Sequence, residues 1–461
     1  MNIIEKKLGF FRGLKLKENK KSSTVKISFM PLPQRVVIPM QQHTGTECEL
    51  VVNRGDYVKQ GQLIGKATSF ISANIHSSIS GQVKSILRMV NPVTNEIINA
   101  VEIISTENTN SQSSLSENTN ENFKDYESSY NIEDYIKDYL NKINTYEANV
   151  LLEKIKDAGI VGLGGAAFPT HVKLTVPKGK NIDTVILNGC ECEPYITSDH
   201  RIMLEHGFEV VIGALIISKI VNPKQIIITV EDNKKDAAES LAKKIKILNK
   251  EDKIKIAILP SRYPMGAEKT LIKNILNRRV PQGGLPIDVG VVVQNVSTSK
   301  AIFDAVLFNK PLIERVITIT GDIEKPYNLV VKVGTLLIDL IDYFGKINNK
   351  KYKIIFGGPM TGYAVGNINF PITKGVNCIL LREVVARLES NCIRCSRCIS
   401  ICPMNLEPLM YVNFVKNSKY LECSSYYIES CIECGSCAYV CPASIPIVGY
   451  IKTGKAALAR K

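Results

Sequence analysis

Cys392-Ile393-Arg394-Cys395-Ser396-Arg397-Cys398-Ile399-Ser400-Ile401-Cys402-Pro403 and Cys431-Ile432-Glu433-Cys434-Gly435-Ser436-Cys437-Ala438-Tyr439-Val440-Cys441-Pro442 share one spacing, C-x2-C-x2-C-x3-C-P. Three cysteines so spaced lie on one compact turn and grip three corners of a [4Fe–4S] cube. The fourth, leaving on the proline, ligates the neighbouring cube. The ligand sets are therefore expected to cross: Cys392, Cys395 and Cys398 with Cys441, and Cys431, Cys434 and Cys437 with Cys402. C-x2-C is also a zinc spacing, but a zinc site closes with four ligands and has no use for a third cysteine placed this way. Residues 371–461 are thus expected to form a helical two-cluster ferredoxin-type domain, a short wire for single electrons.

The chain has 461 residues, enough for three or four domains with cores of their own. Eight of its 13 cysteines belong to the motif. Met1-Asn2-Ile3-Ile4-Glu5-Lys6-Lys7 lacks the apolar core of a signal peptide, so a reducing compartment is expected rather than a disulfide-bonded secreted fold. No apolar run approaches the roughly 18 residues of a membrane span, so any membrane attachment is expected to be peripheral. The net charge of +14 invites a nucleic-acid reading. The lysines are scattered, as at Lys234, Lys235, Lys243, Lys244 and Lys246, without an aromatic-interleaved basic motif, and no nucleic-acid partner is expected. The basic segment 1–23 carries seven Lys or Arg against two Glu in its first 21 residues, with Leu8, Phe10, Phe11, Leu14 and Leu16 between them. A docking strip for an anionic surface and a frayed terminus are both open readings of it.

Residues 24–105 read as a small β-rich unit, with strand residues alternating with glycine turns through Val51–Gly65. The stretch Ile75-His76-Ser77-Ser78-Ile79-Ser80-Gly81-Gln82-Val83 resembles the hairpin of biotinyl and lipoyl domains. Ser78, Ile79 and Ser80 stand where those domains present a modified lysine, so a barrel-sandwich fold without a swinging arm is expected. Residues 106–131 are polar and low in complexity, unable to bury enough surface to offset chain entropy, and read as a linker. From 132 to 300 the pattern is α/β. Helices are predicted over 147–158, 206–221 and 234–248, and strands over 184–187, 225–230 and 254–259. That alternation implies a largely parallel, Rossmann-like sheet with ligands at the strand C-termini.

Two loops fall at such ends. Gly162-Leu163-Gly164-Gly165-Ala166-Ala167-Phe168-Pro169-Thr170, followed by Lys173, lets backbone amides approach an anion and supplies a cation beside it. Asn188-Gly189-Cys190-Glu191-Cys192-Glu193-Pro194 brings carboxylates and an amide able to accept from or donate to sugar hydroxyls. Each alone also reads as an ordinary turn.

Together, Gly159 to Lys173 and Asn188 to Pro194 resemble the FMN and NADH site of the flavoprotein subunit of respiratory complex I. A closer resemblance is to the RnfC family of the Rnf electron-transport complex. It rests on Asn188 through Asp199, Gly357-Gly358-Pro359-Met360 and the double cysteine motif, in that family's order, over nearly the whole chain from residue 30. The resemblance implies that Gly162, Gly164 and Gly165 line the flavin and its phosphate, that Lys173 contacts the phosphate or ribityl chain, and that Asn188 and Glu191 hold the flavin. It places Phe168 on the nucleotide, Glu193 on the NADH ribose, Gly266 and Glu268 in a dinucleotide loop, and Asn295 at the FMN phosphate. Residues 301–370 resemble the β-grasp (SLBB-like) domain of the same families. Relative to the complex I pattern, Leu163 stands for an Arg, Cys190 for an Asp and Ala267 for a Glu. The His-Pro-Pro usual near the start of the Rnf family's chains is replaced by Phe11-Arg12-Gly13-Leu14-Lys15-Leu16.

The function implied by this resemblance is that of a cytoplasmic-face peripheral subunit that exchanges electrons between NADH and ferredoxin. It would use FMN and two [4Fe–4S] clusters, with integral-membrane sister subunits and a ferredoxin-type subunit as partners. No acid–base residue is expected, since hydride transfer needs none. A paralogue feeding another reductase, and a nucleotide-free iron–sulfur relay, are the alternatives.

Overall fold

The computed structural model describes residues 3–5, 12–91, 94, 96–106, 132–345, 351–385 and 388–459. The expected linker lies outside them from residue 107 to 131.

The central unit is a five-stranded, all-parallel sheet in the order Ile3–Glu5, Ile254–Leu259, Gln225–Glu231, Thr184–Gly189, Val291–Asn295. Val185, Ile186 and Leu187, and Ile226 and Ile228, are each fully buried, because helices cover both faces and such strands read as unbroken apolar runs. The helices Gly207–Val221 and Val296–Phe308 pack together where a Cβ on Gly213 would lie 2.0 Å from the Ser299 carbonyl oxygen. Only glycine permits that approach.

The expected barrel forms as two antiparallel sheets, Arg35–Pro39, Ile97–Ser105, Gly81–Val90 and Tyr57–Val58 facing Glu49–Leu50, Leu63–Lys66 and Ile75–His76. Val36, Ile38, Ile64, Ile75 and Val101 fill its core. The hairpin tip is not presented to solvent. Ser77, Ser78 and Ile79 are fully buried, and the Ser78 hydroxyl donates to the Val333 carbonyl at 2.5 Å.

A third, six-stranded mixed sheet runs Tyr363–Val365, Tyr352–Phe356, Cys378–Glu383, Glu314–Gly321, Tyr327–Lys332, Ile27–Phe29. It draws strands from both sides of the segment 301–370. Ile27–Phe29 pairs in parallel with Asn328–Val330, and Cys378–Leu381 with Thr318–Gly321. Three residues such as Ile-Ser-Phe carry no periodic signal; the open edge of Tyr327–Lys332 recruits them.

The start of the chain is also built in. Ile3–Glu5 extends the parallel sheet, and Leu14 exchanges backbone hydrogen bonds with Tyr263 at 2.7 and 2.9 Å. These described residues are neither frayed nor a free docking strip. The C-terminal module is helical as expected. Its helices Pro408–Lys416 and Ile447–Ala459 close over Leu406, Tyr411, Cys423, Ile428 and Ile451.

Candidate redox site

Strand order reverses at Thr184–Gly189: the chain moves outward through Gln225–Glu231 and Ile254–Leu259, then returns to Val291–Asn295 on the other side. Loops leaving neighbouring strands at such a point diverge and leave a crevice. Asn188 and Asn295, aligned in register, sit at its lip.

The glycine loop overhangs this crevice. Gly164 and Gly165 are exposed; a Cβ on Gly165 would touch nothing within 4 Å, while one on Gly164 would meet the Asn295 side chain at 3.5 Å. Phe168, half-buried, accepts from Gly162 N–H through its carbonyl, closing the loop. Asn295 caps Val296–Phe308, its amide oxygen accepting from Ser297 N–H and Thr298 N–H and its nitrogen donating to Asp199 at 2.6 Å. Asn188 is a lock between loops: it donates to the Gly266 carbonyl at 2.8 Å and accepts from Cys190 N–H at 3.0 Å. A Cβ on Gly266 would lie 2.4 Å from the Cys190 carbonyl oxygen, so these loops touch backbone to backbone. Lys173 donates to Glu268 at 2.5 Å.

The two acids of the second loop differ. Glu191 is buried. Its Oε1 accepts from Asp199 N–H at 2.8 Å, whereas Oε2 has no hydrogen-bond partner and Lys20 Nζ stands 3.9 Å away. Burial holds its carboxyl above the usual range despite Lys20. Glu193 is fully engaged: it accepts from Met360 N–H at 3.1 Å, Thr361 N–H at 2.8 Å and the Thr361 hydroxyl at 2.5 Å. The sequence reading missed Lys20, whose ammonium donates to the carbonyls of Glu191, Glu193 and Ile196 and so splints the loop from 171 residues away.

Of the three departures, Leu163 packs in the main core, only its backbone reaching Thr298 and Arg315. Cys190 is buried and its thiol is pushed well above its ordinary range by burial and then by Glu231, so it packs as a small neutral side chain. Ala267 precedes the helix Glu268–Leu276. A flavin mononucleotide fits what remains: glycines with no Cβ over an open crevice, a lysine ammonium, and a buried carboxylate oxygen with no hydrogen-bond donor.

Two hollows in the C-terminal module divide the cysteines. One is lined by Cys402, Cys431, Cys434 and Cys437, the other by Cys392, Cys395, Cys398 and Cys441. Each turn donates backbone N–H to sulfur at 3.4 Å, from Arg394 to Cys392, Leu406 to Cys402 and Glu433 to Cys431. Burial, followed by its neighbours Cys431, Cys434 and Cys402, raises the Cys437 thiol, and burial lifts Cys431 to about 11. Four sulfurs so crowded would serve as ligands only with cationic charge among them, which a [4Fe–4S] core would supply.

The first hollow is fastened to the crevice twice. The Tyr263 hydroxyl donates to the Cys434 carbonyl at 2.5 Å, three residues before Gly266. The Gly357–Gly362 turn, held by Glu193, abuts Gly435, where a Cβ would lie 2.7 Å from the Met360 carbonyl oxygen.

Comparison with known proteins agrees with this layout. Family models match as the RnfC barrel sandwich hybrid domain over residues 8–108, the Nuo51 FMN-binding domain over 155–304 and a 4Fe-4S dicluster domain over 391–445. The chain is 42% identical to the C subunit of the proton-translocating ferredoxin:NAD(+) oxidoreductase complex of Clostridium ljungdahlii, across 91% of this chain and 87% of that one. It is 36% identical to the Na(+)-translocating counterpart of Acetobacterium woodii, across 92% and 91%. The C subunit of the ion-translocating oxidoreductase complex of Rhodobacter capsulatus is 35% identical across 84% and 71%. The chain belongs to the RnfC family, the C subunits of the ion-translocating ferredoxin:NAD(+) oxidoreductase complexes.

Proposed function

We propose that this chain is the electron-transfer subunit that oxidises NADH or reduces NAD+ in an Rnf complex, using FMN and two [4Fe–4S] clusters. The observation that carries this is the meeting of Tyr263, three residues before Gly266, and of the Glu193-held Gly357–Gly362 turn with one cysteine hollow at the Cys434–Gly435 peptide. Bound flavin supplies the exchange between hydride, two electrons together, and the single electrons that clusters take. The protein's part is to hold the partners and fix their spacing.

In this reading Gly162, Gly164, Gly165 and Lys173 receive the phosphate and ribityl chain, with Asn295 at the phosphate. Glu191 offers the oxygen that accepts no hydrogen bond, and Phe168 packs on the nucleotide. Asn188, Gly266 and Glu268 shape the pocket wall. Glu193, fully engaged by the Met360–Thr361 turn, supports the ribose side only if it surrenders one of those donors. The cysteines ligate in crossed sets, the one with Cys402 lying on the flavin side and the one with Cys441 facing outward, where Cys392 and Cys395 are exposed. The working division is a basic segment 1–23, a barrel 24–105, a linker 106–131, a flavin domain 132–300, an SLBB-like β-grasp 301–370 and the cluster domain 371–461. Among the described residues no helix is long and apolar enough to cross a membrane, which suits peripheral attachment at the cytoplasmic face through integral-membrane sister subunits and a ferredoxin-type subunit.

The deciding experiment is anaerobic purification with reconstituted clusters and added FMN, followed by absorbance during an NADH titration. Bleaching of flavin and then of clusters supports the reading. Clusters reducible by dithionite but inert to NADH would leave a nucleotide-free relay.

A further inference from the structure

A recess between the helix Glu268–Leu276 and the turn Pro403–Asn405 adjoins the first cysteine hollow, with which it shares Pro403 and Met404, but no cysteine lines it. Arg12, Lys269, Lys273 and Arg279 line it, together with Asn274, and no carboxylate does. Among the described residues none of the four cations forms an ion pair, whereas the adjacent Arg278 is paired with Asp183 at 2.8 Å. Lys269 and Lys273 stand four residues apart on one helix face, a spacing that places like charges side by side at a cost to the helix. Lys269, Lys273 and Arg279 come from the helix Glu268–Leu276 and the loop after it, and Arg12 joins them from the N-terminal segment, so that the four converge on a hollow where low-dielectric walls concentrate their field. Part of the chain's surplus of +14 is thus focused on one spot.

We propose that this recess binds a compact multivalent oxyanion of the phosphate class. Arginine forks and lysine ammoniums are the side chains that recognise such groups, and Asn274 adds an uncharged donor. Concavity favours a small anion over a protein face, because only a small ligand reaches all four cations at once. Its occupancy ties the N-terminal segment, the flavin domain and the turn after Cys402 together.

The test uses the full chain, loaded with clusters and FMN so that the flavin crevice is filled, and inorganic pyrophosphate as the probe. Calorimetry is run at fixed ionic strength. One saturable site is expected, weakened about tenfold for each charge removed in the Lys273→Ala/Arg279→Ala variant. The Lys243→Ala/Lys246→Ala variant removes the same charge from another exposed helix face and should bind as wild type. Absence of saturable binding, or equal weakening in both double variants, overturns the proposal. If adenosine diphosphate competes and binds more tightly than pyrophosphate, the phosphate belongs to a nucleotide; if it does not, the anion is free.

Discussion

Gly358→Ala is the substitution on which the bridge between flavin crevice and cluster hollow stands or falls. A Cβ there would lie 2.1 Å from Glu193 Oε2 and 2.4 Å from its Cδ, too close for either group to stay. The glycine's backbone does not demand glycine by conformation, so the whole effect must come from evicting the Glu193 carboxylate. That carboxylate accepts three hydrogen bonds, from Met360 N–H, Thr361 N–H and the Thr361 hydroxyl. Bonds to a charged acceptor contribute roughly 1.5–3 kcal/mol each. With water taking up part of the loss, a net cost of about 3–4 kcal/mol is expected, at the severe end for one substitution. Thermal unfolding should register it. Stopped-flow absorbance with NADH should show flavin bleaching followed by slowed cluster bleaching, because the loosened turn no longer presses on Gly435. Glu193→Ala provides the cycle: it removes the three atoms nearest the added methyl, so Gly358→Ala/Glu193→Ala should cost little more than Glu193→Ala alone. Gly366→Ala, where a Cβ meets nothing within 4 Å, should be near neutral. Additive single effects, or a Gly358→Ala protein that melts and reduces like wild type, would refute the bridge.

Tyr263→Phe removes one hydrogen bond to the Cys434 carbonyl, costing about 1 kcal/mol; stopped-flow should show unchanged flavin reduction and slower cluster reduction, and identical traces in both phases would count against the contact. Cys402→Ala should abolish the same cluster signal in electron paramagnetic resonance as Cys434→Ala, and Cys398→Ala the same as Cys441→Ala; a grouping of Cys398 with Cys402 would sink the crossed assignment. Burial, and then Lys374, depresses His43 to about 4 and His76 to about 3. The neutral rings therefore favour the fold above the ordinary histidine range, and that stability is lost as pH falls from about 6.5 toward 4, roughly 3 kcal/mol apiece at the lower end. His76→Gln should flatten the acid limb of the melting curve, and an unchanged limb would show that the ring is not the sensor.

The legible parts of this chain are those where chemistry dictates spacing. Cubane ligation fixes C-x2-C-x2-C-x3-C-P, and the two hollows are lined by Cys402 with Cys431, Cys434 and Cys437, and by Cys441 with Cys392, Cys395 and Cys398. Strands covered on both faces must be continuously apolar, so Thr184–Gly189, Gln225–Glu231 and Ile254–Leu259 stood out. What stayed hidden are contacts made between segments that carry no local pattern. Lys20 reads as one more lysine of a basic terminus, yet its ammonium is enclosed by three carbonyls. Ile27–Phe29 is too short to alternate visibly, and only the open edge of Tyr327–Lys332 explains its place. Glu193 shows an acid in a loop; that its donors lie in the turn after Gly358 emerges from packing alone.

These hidden contacts share a purpose that the motifs cannot express. A motif specifies a cofactor's immediate ligands, whereas electron transfer also depends on the spacing between cofactors, which no single segment can set. Here that spacing is held by groups distant in sequence: Tyr263 to Cys434, 171 residues apart, Glu193 to Thr361, and Lys20 beneath the acidic loop. The Tyr263 and Lys20 bonds are partly shielded from water and so cost more to break than surface bonds, and the Glu193 bonds, though open to water, are made to a carboxylate. A wire between a two-electron donor and one-electron clusters needs a fixed spacing more than it needs any acid or base, and these long-range bonds are placed where they can hold it.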